Sequence, residues 1–426
     1  MSNTSSAVLN PMGSYGKARQ VMEETSLENS IRRAGSFPEV EAEMPILRSR
    51  RRGSIIDKIS SLLGERNPWQ KPINPREHTI WLFDNTAYRA PGATSSKNEW
   101  QAEVVAAYFV KESGEDSSEA VAKISELIGL APDDASRKKV ALRLQPFLDC
   151  VLPAHTAQLE IDNQTFKLGP SSSEGITTDI IKFNSKAKAG SAIAPQLVGM
   201  APQVPMATYF AEPEGWAVIS DVDDTIKKTM TSSALGVLQS TFVDDPEPIA
   251  GMPELYQHIQ KSFKNPPFWY LTASPYNLYT FIREFKATFK FPPGQLILRD
   301  ASWMSLAGLL ASVTQGTQAY KVDRMKKIHS WFPKRKFICI GDSTQSDPEA
   351  YGEMYRANPE WVKAIFIRKV TGVDVPGSFD EDEKNLPARF EKAFKDVPAE
   401  IWYVFEDPKE VYGKLEELNN SSWKLW

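Results

Sequence analysis

Val218-Ile219-Ser220-Asp221-Val222-Asp223-Asp224-Thr225-Ile226-Lys227 is the stretch that decides how this chain folds. An apolar run that stops at Asp221 reads as a buried strand, with Asp223 and Thr225 following at two-residue intervals in the turn beyond it. In open α/β sheets active sites gather at that edge. Two carboxylates beside a buried strand are expensive to desolvate unless a metal or a hydrogen-bond network takes up their charge.

Outward from this stretch, apolar runs recur at Trp216 to Ile219, Phe268 to Leu271, Gln295 to Leu298, Lys336 to Ile340, Ala364 to Ile367 and Ile401 to Phe405, with helical patterns between them. Uniformly apolar strands alternating with helices predict a parallel sheet covered on both faces. The expectation is an α/β, doubly wound catalytic domain over residues 206–426, without internal repeats. Its strand ends carry the chemistry. The first gives Asp221 and Asp223, the second runs into Thr272, Ala273 and Ser274, and a later one runs into Gly341 and Asp342 with Asp347 five residues on. The helix from Tyr320 to Trp331 opens with Lys321.

Phosphoryl transfer accounts for this set. Asp221 attacks phosphorus, and Asp223 serves as general acid and then general base. Thr225 orders the nucleophile loop, Thr272 bonds a phosphoryl oxygen and Lys321 neutralises developing charge. Mg²⁺ is expected on Asp221, the backbone carbonyl of Asp223, and Asp342. Asp347 supports Lys321 or a metal-bound water, Ser274 either joins the site or caps the next helix, and Asp224 caps the following segment or turns outward. With two cysteines and four histidines in the chain, an oxygen-ligated metal is the expected kind.

The D-x-D-x-T of Asp221 to Thr225, with Thr272, Lys321 and Gly341-Asp342-x4-Asp347, resembles motifs one to four of the haloacid dehalogenase superfamily phosphatases. Ser-Asp-Val-Asp-Asp-Thr-Ile-Lys, Tyr-Leu-Thr-Ala-Ser-Pro-Tyr and Gly-Asp-Ser-Thr-Gln-Ser-Asp-Pro-Glu-Ala-Tyr are similar to the fungal actin-patch phosphatidate phosphatases, as is Asp84-Asn85-Thr86-Ala87 with Trp100 downstream. The resemblance implies Mg²⁺-dependent hydrolysis of phosphatidate to diacylglycerol, extending to lysophosphatidate and diacylglycerol pyrophosphate. It also implies a peripheral protein of cortical actin patches and endocytosis, with actin-associated or endocytic partners. Two alternatives stand beside it: the same mechanism on a phosphoprotein or nucleic-acid end, and an inactive scaffold that binds anionic lipid.

Upstream, residues 76–205 read as a mainly-β accessory domain, a sandwich with strands at Thr79 to Phe83, Glu103 to Val110, Gln158 to Ile161, Thr165 to Leu168 and Ile176 to Phe183, interrupted by two helical patterns. A Pro-rich stretch from Ile193 to Pro213 links it onward. Asp84 and Asn85 read as an Asx turn closing a strand. Residues 1–75, rich in Ser, Glu, Arg and Pro, read as a mostly disordered tail. Within it Arg50, Arg51 and Arg52 feed Ile55, Ile56 and Ile59, the profile either of a peripheral membrane anchor or of a small helix docked on the folded domains. Ser36 and Ser54 each have an arginine three residues earlier, which suits basophilic kinases.

Fifty basic against 54 acidic residues argue against general polyanion binding, so no nucleic-acid partner is expected. No run approaches the roughly 20 apolar residues of a membrane span, and no secretory leader is evident, so a cytoplasmic protein is expected. The insert from Ile226 to Pro267 holds one helical stretch, Ser232 to Phe242, and Ala273 to Tyr320 reads as sheet elements. Neither reads as a full cap, so a shallow mouth open to a phosphate at a membrane surface is expected.

Overall fold

The computed structural model describes residues 24–44, 63, 67–90, 98–111, 118–129, 134–201, 205–299, 306–371 and 384–421. Arg50, Arg51, Arg52, Ser54, Ile55, Ile56 and Ile59 lie outside that set. Among the described residues no helix is long and apolar enough to cross a membrane.

The expectation of a mostly disordered tail fails for residues 24–44. They form α1 (Ser26–Ala34) and α2 (Phe37–Glu43). A capping box starts α1: Thr25 accepts from the Glu28 backbone while the Glu28 side chain accepts from the Thr25 backbone. Apolar content decides the outcome, because Phe37, Val40 and Met44 are buried in the same core cluster as helices from the C-terminal half of the chain.

The accessory region is built from two sheets. Strands β1 (Lys71–Pro72), β2 (His78–Leu82), β3 (Asn85–Tyr88), β4 (Glu99–Val110), β5 (His155–Ile161), β6 (Gln164–Leu168), β7 (Ile176–Asn184), β8 (Ala192–Ile193), β9 (Gln196–Leu197) and β10 (Thr208–Phe210) follow in chain order. The smaller sheet runs β1-β5-β6 with β9 on β5, and the larger runs β2-β4-β3-β10-β8 with β7 on β4. Leu82, Trp100, Val104, Ala106 and Tyr108 of the larger sheet meet Leu159, Ile161, Leu168 and Leu197 of the smaller in one core. The intervening residues of β4, Val105, Ala107 and Phe109, face the other way into the core shared with the region after residue 216. Both faces of β4 are therefore buried, which is why its sequence is apolar throughout rather than alternating. Helices α3 (Ser118–Leu127) and α4 (Asp134–Leu148) contribute Val121, Ile124, Val140 and Leu144 to that shared core. Strand β10 completes the larger sheet from beyond residue 205, so the sheet, unlike the sequence boundary, ends near Phe210.

In the remainder, β11 (Trp216–Asp221), α5 (Ala234–Phe242), α6 (Met252–Ser262), β12 (Phe268–Pro275), α7 (Tyr279–Thr288), β13 (Gly294–Arg299), α8 (Leu306–Thr314), α9 (Thr317–Trp331), β14 (Lys336–Asp342), α10 (Asp347–Ala357), β15 (Val362–Arg368), α11 (Pro387–Ala393), β16 (Trp402–Phe405) and α12 (Glu410–Ser421) alternate. The sheet is parallel throughout, ordered β13-β12-β11-β14-β15-β16. Alternate residues feed two cores: Val218, Ile338 and Ile340 enter one, and Ala217, Ile219, Phe337 and Cys339 enter the other. Helices α5 to α8 and α12 cover the first face, and α9, α10 and α11 the second. The doubly wound α/β expectation holds. The stretch from Ala273 to Tyr320 differs, carrying one strand, β13, together with α7 and α8, and the Ile226 to Pro267 insert carries α6 as well as α5.

Candidate active site

Strand order reverses between β11 and β14, and a crevice opens at the carboxyl ends of the two strands flanking such a point. Asp221 closes β11 and Asp342 closes β14. The sequence separates them by more than a hundred positions, yet one hydroxyl bridges them: Thr225 Oγ1 donates to Asp342 Oδ2 at 2.9 Å and to Asp221 Oδ2 at 3.2 Å. Thr225 thus organises the loop, in keeping with its place two residues after Asp223.

Lys321 lies in α9, one turn after Thr317, and reaches back into the same crevice. Its Nζ is 2.8 Å from Asp221 Oδ1 and 2.5 Å from Asp347 Oδ1, and donates to Gln345 Oε1 at 3.2 Å. Burial works against the ammonium charge, but Asp221, Asp347 and Asp342 together outweigh it and hold Lys321 above the usual lysine range. Burial in turn pushes Asp342 up to about 6, with Asp347 and Asp224 adding to the rise. Asp221 is driven upward by the same desolvation, opposed by Lys321.

Asp347 owes its approach to Gly341. A β-carbon there would meet Asp347 Cβ, Cγ and Oδ2 at 2.6 Å, and the Asp342 amide donates to Asp347 Oδ2 at 3.1 Å. Asp342 Oδ1 accepts from the Thr344 amide at 2.6 Å and from its hydroxyl. Carboxylate oxygens of Asp221, Asp342 and Asp347 lie within 4.8 Å of one another. Three carboxylates against the single Lys321 ammonium leave two negative charges, and every donor is oxygen, so the cluster fits a hard divalent cation. Asp347 joins this group in addition to its expected pairing with Lys321.

The Asp223 carboxylate is not in that cluster. Its Oδ2 accepts from Thr272 Oγ1 at 2.5 Å and Ser274 Oγ at 3.0 Å, and its Oδ1 from Thr229 Oγ1 at 2.9 Å. Thr272 is thus tied to Asp223. Ser274 bonds Asp223 and caps neither of the helical segments that follow, whose N-caps are Pro275 and Leu278. Asp224 turns inward: it accepts from the amides of Thr229, Met230 and Thr231 and from the Thr231 hydroxyl, folding the loop after β11 over the acids.

Among the described residues the site is enclosed rather than a shallow open mouth. Asp221, Thr225, Thr272, Lys321, Asp342 and Asp347 are fully buried and Asp223 is 3% exposed, with the Thr229–Thr231 loop bonded to Asp223 and Asp224. Several contributors carry no motif. Arg368 donates twice to the Asp224 carbonyl, at 2.6 and 2.9 Å. Arg389 bonds the carbonyls of Ser343 and Gln345, each at 2.5 Å, while pairing with Glu349. Thr229 has the most ordinary sequence surroundings of all, and nothing local marks it. Asp84, by contrast, does not close an Asx turn. It pairs with Arg283 of α7 at 2.9 Å and accepts from the Ala207 amide at 2.7 Å, fastening the two regions together.

A parallel sheet wound in this order, with its acids, threonine and lysine on the ends of β11, β12 and β14 and on α9, is the α/β arrangement expected of a haloacid dehalogenase-like catalytic domain. Residues 216–369 match the family model described as phosphatidate phosphatase APP1, catalytic domain. Phosphatidate phosphatase APP1 of Saccharomyces cerevisiae is 31% identical over 181 residues, which cover 41% of this chain and 30% of the relative. An uncharacterised Schizosaccharomyces pombe protein is 26% identical over 160 residues, 37% of this chain and 25% of the relative. The chain thus spans less than a third of the length of either relative.

Proposed function

We propose that this chain is a Mg²⁺-dependent phosphatidate phosphatase that forms diacylglycerol and phosphate through an aspartyl-phosphate. The observation that carries the reading is the division of labour between two neighbouring acids. Asp221 lies among Lys321, Asp342 and Asp347, while Asp223 is held apart by Thr272, Ser274 and Thr229. In this reading the first is the nucleophile, and the second, anchored by three hydroxyls, is the proton donor and acceptor.

In the first step an Asp221 carboxylate oxygen bonds to phosphorus as the bond to the lipid oxygen breaks, and Asp223 delivers the proton that oxygen needs. In the second, Asp223 takes a proton from water, which attacks phosphorus, releasing phosphate and restoring Asp221. Lys321 offsets charge on the transferring group and keeps Asp221 aligned. Asp221, Asp342 and the Asp223 carbonyl, with Asp347 beside them, would hold Mg²⁺. The ion would supply charge neutralisation between nucleophile and phosphate.

The choice of lipid draws its support from the family match and from the name of the yeast relative. Action on lysophosphatidate and diacylglycerol pyrophosphate, a peripheral membrane attachment through Arg50–Arg52 and Ile55–Ile59, and cortical actin or endocytic partners extend the same reading. The deciding experiment assays purified full-length protein on phosphatidate in mixed micelles with and without Mg²⁺, alongside Asp221→Asn and Asp223→Asn. Phosphate release that needs Mg²⁺, vanishes in Asp221→Asn and falls about 10²- to 10⁴-fold in Asp223→Asn is expected. Turnover of a phosphopeptide but not of phosphatidate would move the substrate to phosphoprotein. Absence of turnover on every phosphomonoester would leave the lipid-binding scaffold.

A further inference from the structure

Helix α9, which carries Lys321, begins without a cap of its own: its N-cap is Gly316, which offers no side-chain oxygen to the first free amides. The missing oxygen comes from α1. Glu28 Oε1 accepts from Thr317 Oγ1 at 2.9 Å, from the Gln318 amide at 2.9 Å and from Ser346 Oγ at 3.1 Å. Its other oxygen, Oε2, accepts from the Thr25 amide at 2.8 Å, so both carboxylate oxygens are held. Glu28 is 2% exposed.

The partners of Glu28 matter because of their neighbours in the chain. Thr317 is one helical turn before Lys321 on the same face, and Ser346 immediately precedes Asp347. Lys321 and Asp347 are the two halves of the 2.5 Å ion pair in the crevice. One carboxylate therefore grips both elements whose spacing sets that pair, and Thr317 and Ser346 are themselves 3.1 Å apart through their hydroxyls. A negative group at a helix N-terminus also interacts favourably with the helix dipole. The surrounding strap is anchored independently of Glu28. Arg32 donates to Thr314 Oγ1 at 2.6 Å and pairs with Glu41 at 2.8 Å, the Gly35 carbonyl accepts from the Ala234 amide at 3.0 Å, and Phe37 is fully buried.

We infer that Glu28, which lies outside the matched segment 216–369, is a positioning residue for the Lys321–Asp347 pair, so that the active site is complete only with α1 docked. The inference rests on the phosphatase reading above. It is tested in the full-length chain with Glu28→Ala, Glu28→Asp and Glu28→Gln, by kcat and KM on phosphatidate and by hydrogen exchange of the amides at 317–321 and 343–347. Misplacing a catalytic group by about 1 Å costs up to ~10²-fold, so Glu28→Ala is expected to lose about tenfold to a hundredfold in kcat at nearly unchanged KM, with faster exchange at both segments. Glu28→Asp, one methylene short, behaves like Glu28→Ala even if the alanine variant folds poorly. Glu28→Gln retains an acceptor oxygen and recovers most of kcat. Wild-type kcat in Glu28→Asp, or equal losses in Glu28→Gln and Glu28→Asp, overturns the inference. If the unmodified chain hydrolyses no phosphomonoester, the phosphatase reading falls by itself. The exchange data then decide the role of Glu28, and unchanged protection in Glu28→Asp refutes it.

Discussion

Gly341 and Asp347 approach so closely that a β-carbon on the glycine would lie 2.6 Å from three atoms of the aspartate side chain. Backbone and carboxylate are both buried, so neither has room to yield without moving the strand end or the first turn of α10. In Gly341→Ala the first turn of α10 is expected to shift, because the clash includes Asp347 Cβ, which no side-chain rotation relieves. Asp347 should be carried away with that turn and Lys321 should lose its 2.5 Å partner. A fall in kcat of about 10²-fold is predicted, with a crystal structure of the variant showing the displaced carboxylate. Unaltered kcat would mean that Asp347 is dispensable for turnover.

How much of this arrangement the sequence discloses depends on how local the determinant is. The strands of the catalytic domain are legible because both faces of the sheet are buried and each run is apolar from end to end. Asp221, Thr272 and Asp342 are legible because each terminates such a run. Glu28 is 289 positions from Thr317, and its local surroundings announce only a capping box. The Asp84 side chain likewise reads as a turn former until Arg283, 199 positions away, is packed against it. Burial of the site is illegible for a related reason. Loop residues Thr229 and Thr231 are short and polar, and it takes their bonds to the Asp223 and Asp224 carboxylates to show that they fold inward.

The two regions also share a buried charge pair. Lys327 of α9 and Glu103 of β4 form an ion pair with both side chains 2% exposed. Taking away one partner leaves the other charged and dry, which typically costs about 3–5 kcal/mol, whereas replacing both is far cheaper. Lys327→Met should therefore lower stability by roughly 3 kcal/mol or more in urea unfolding. Adding Glu103→Leu to Lys327→Met is expected to recover most of that loss. Additive losses in the double variant would show that the two side chains do not act as a pair.

Lys286 gives the fold a measurable dependence on pH. Its ammonium donates to the Gly294 carbonyl at 3.1 Å and stands 3.8 Å over the Tyr270 ring. Burial pulls its pKa down to about 7, with Asp84 resisting and Arg283 adding to the fall. An unfolded lysine titrates near about 10.4, so between about pH 7 and pH 10 the unfolded chain holds one more proton than the native one at this site. Stability contributed by this group therefore rises with pH across that window, by on the order of 4 kcal/mol in total, and is flat below it. Lys286→Met removes the titration and keeps the apolar stem over Tyr270. Its unfolding free energy between pH 7 and pH 9 should exceed that of the unmodified chain most at pH 7 and converge toward it as pH rises. Parallel pH profiles for the two proteins would show that Lys286 enters the fold already charged at no cost.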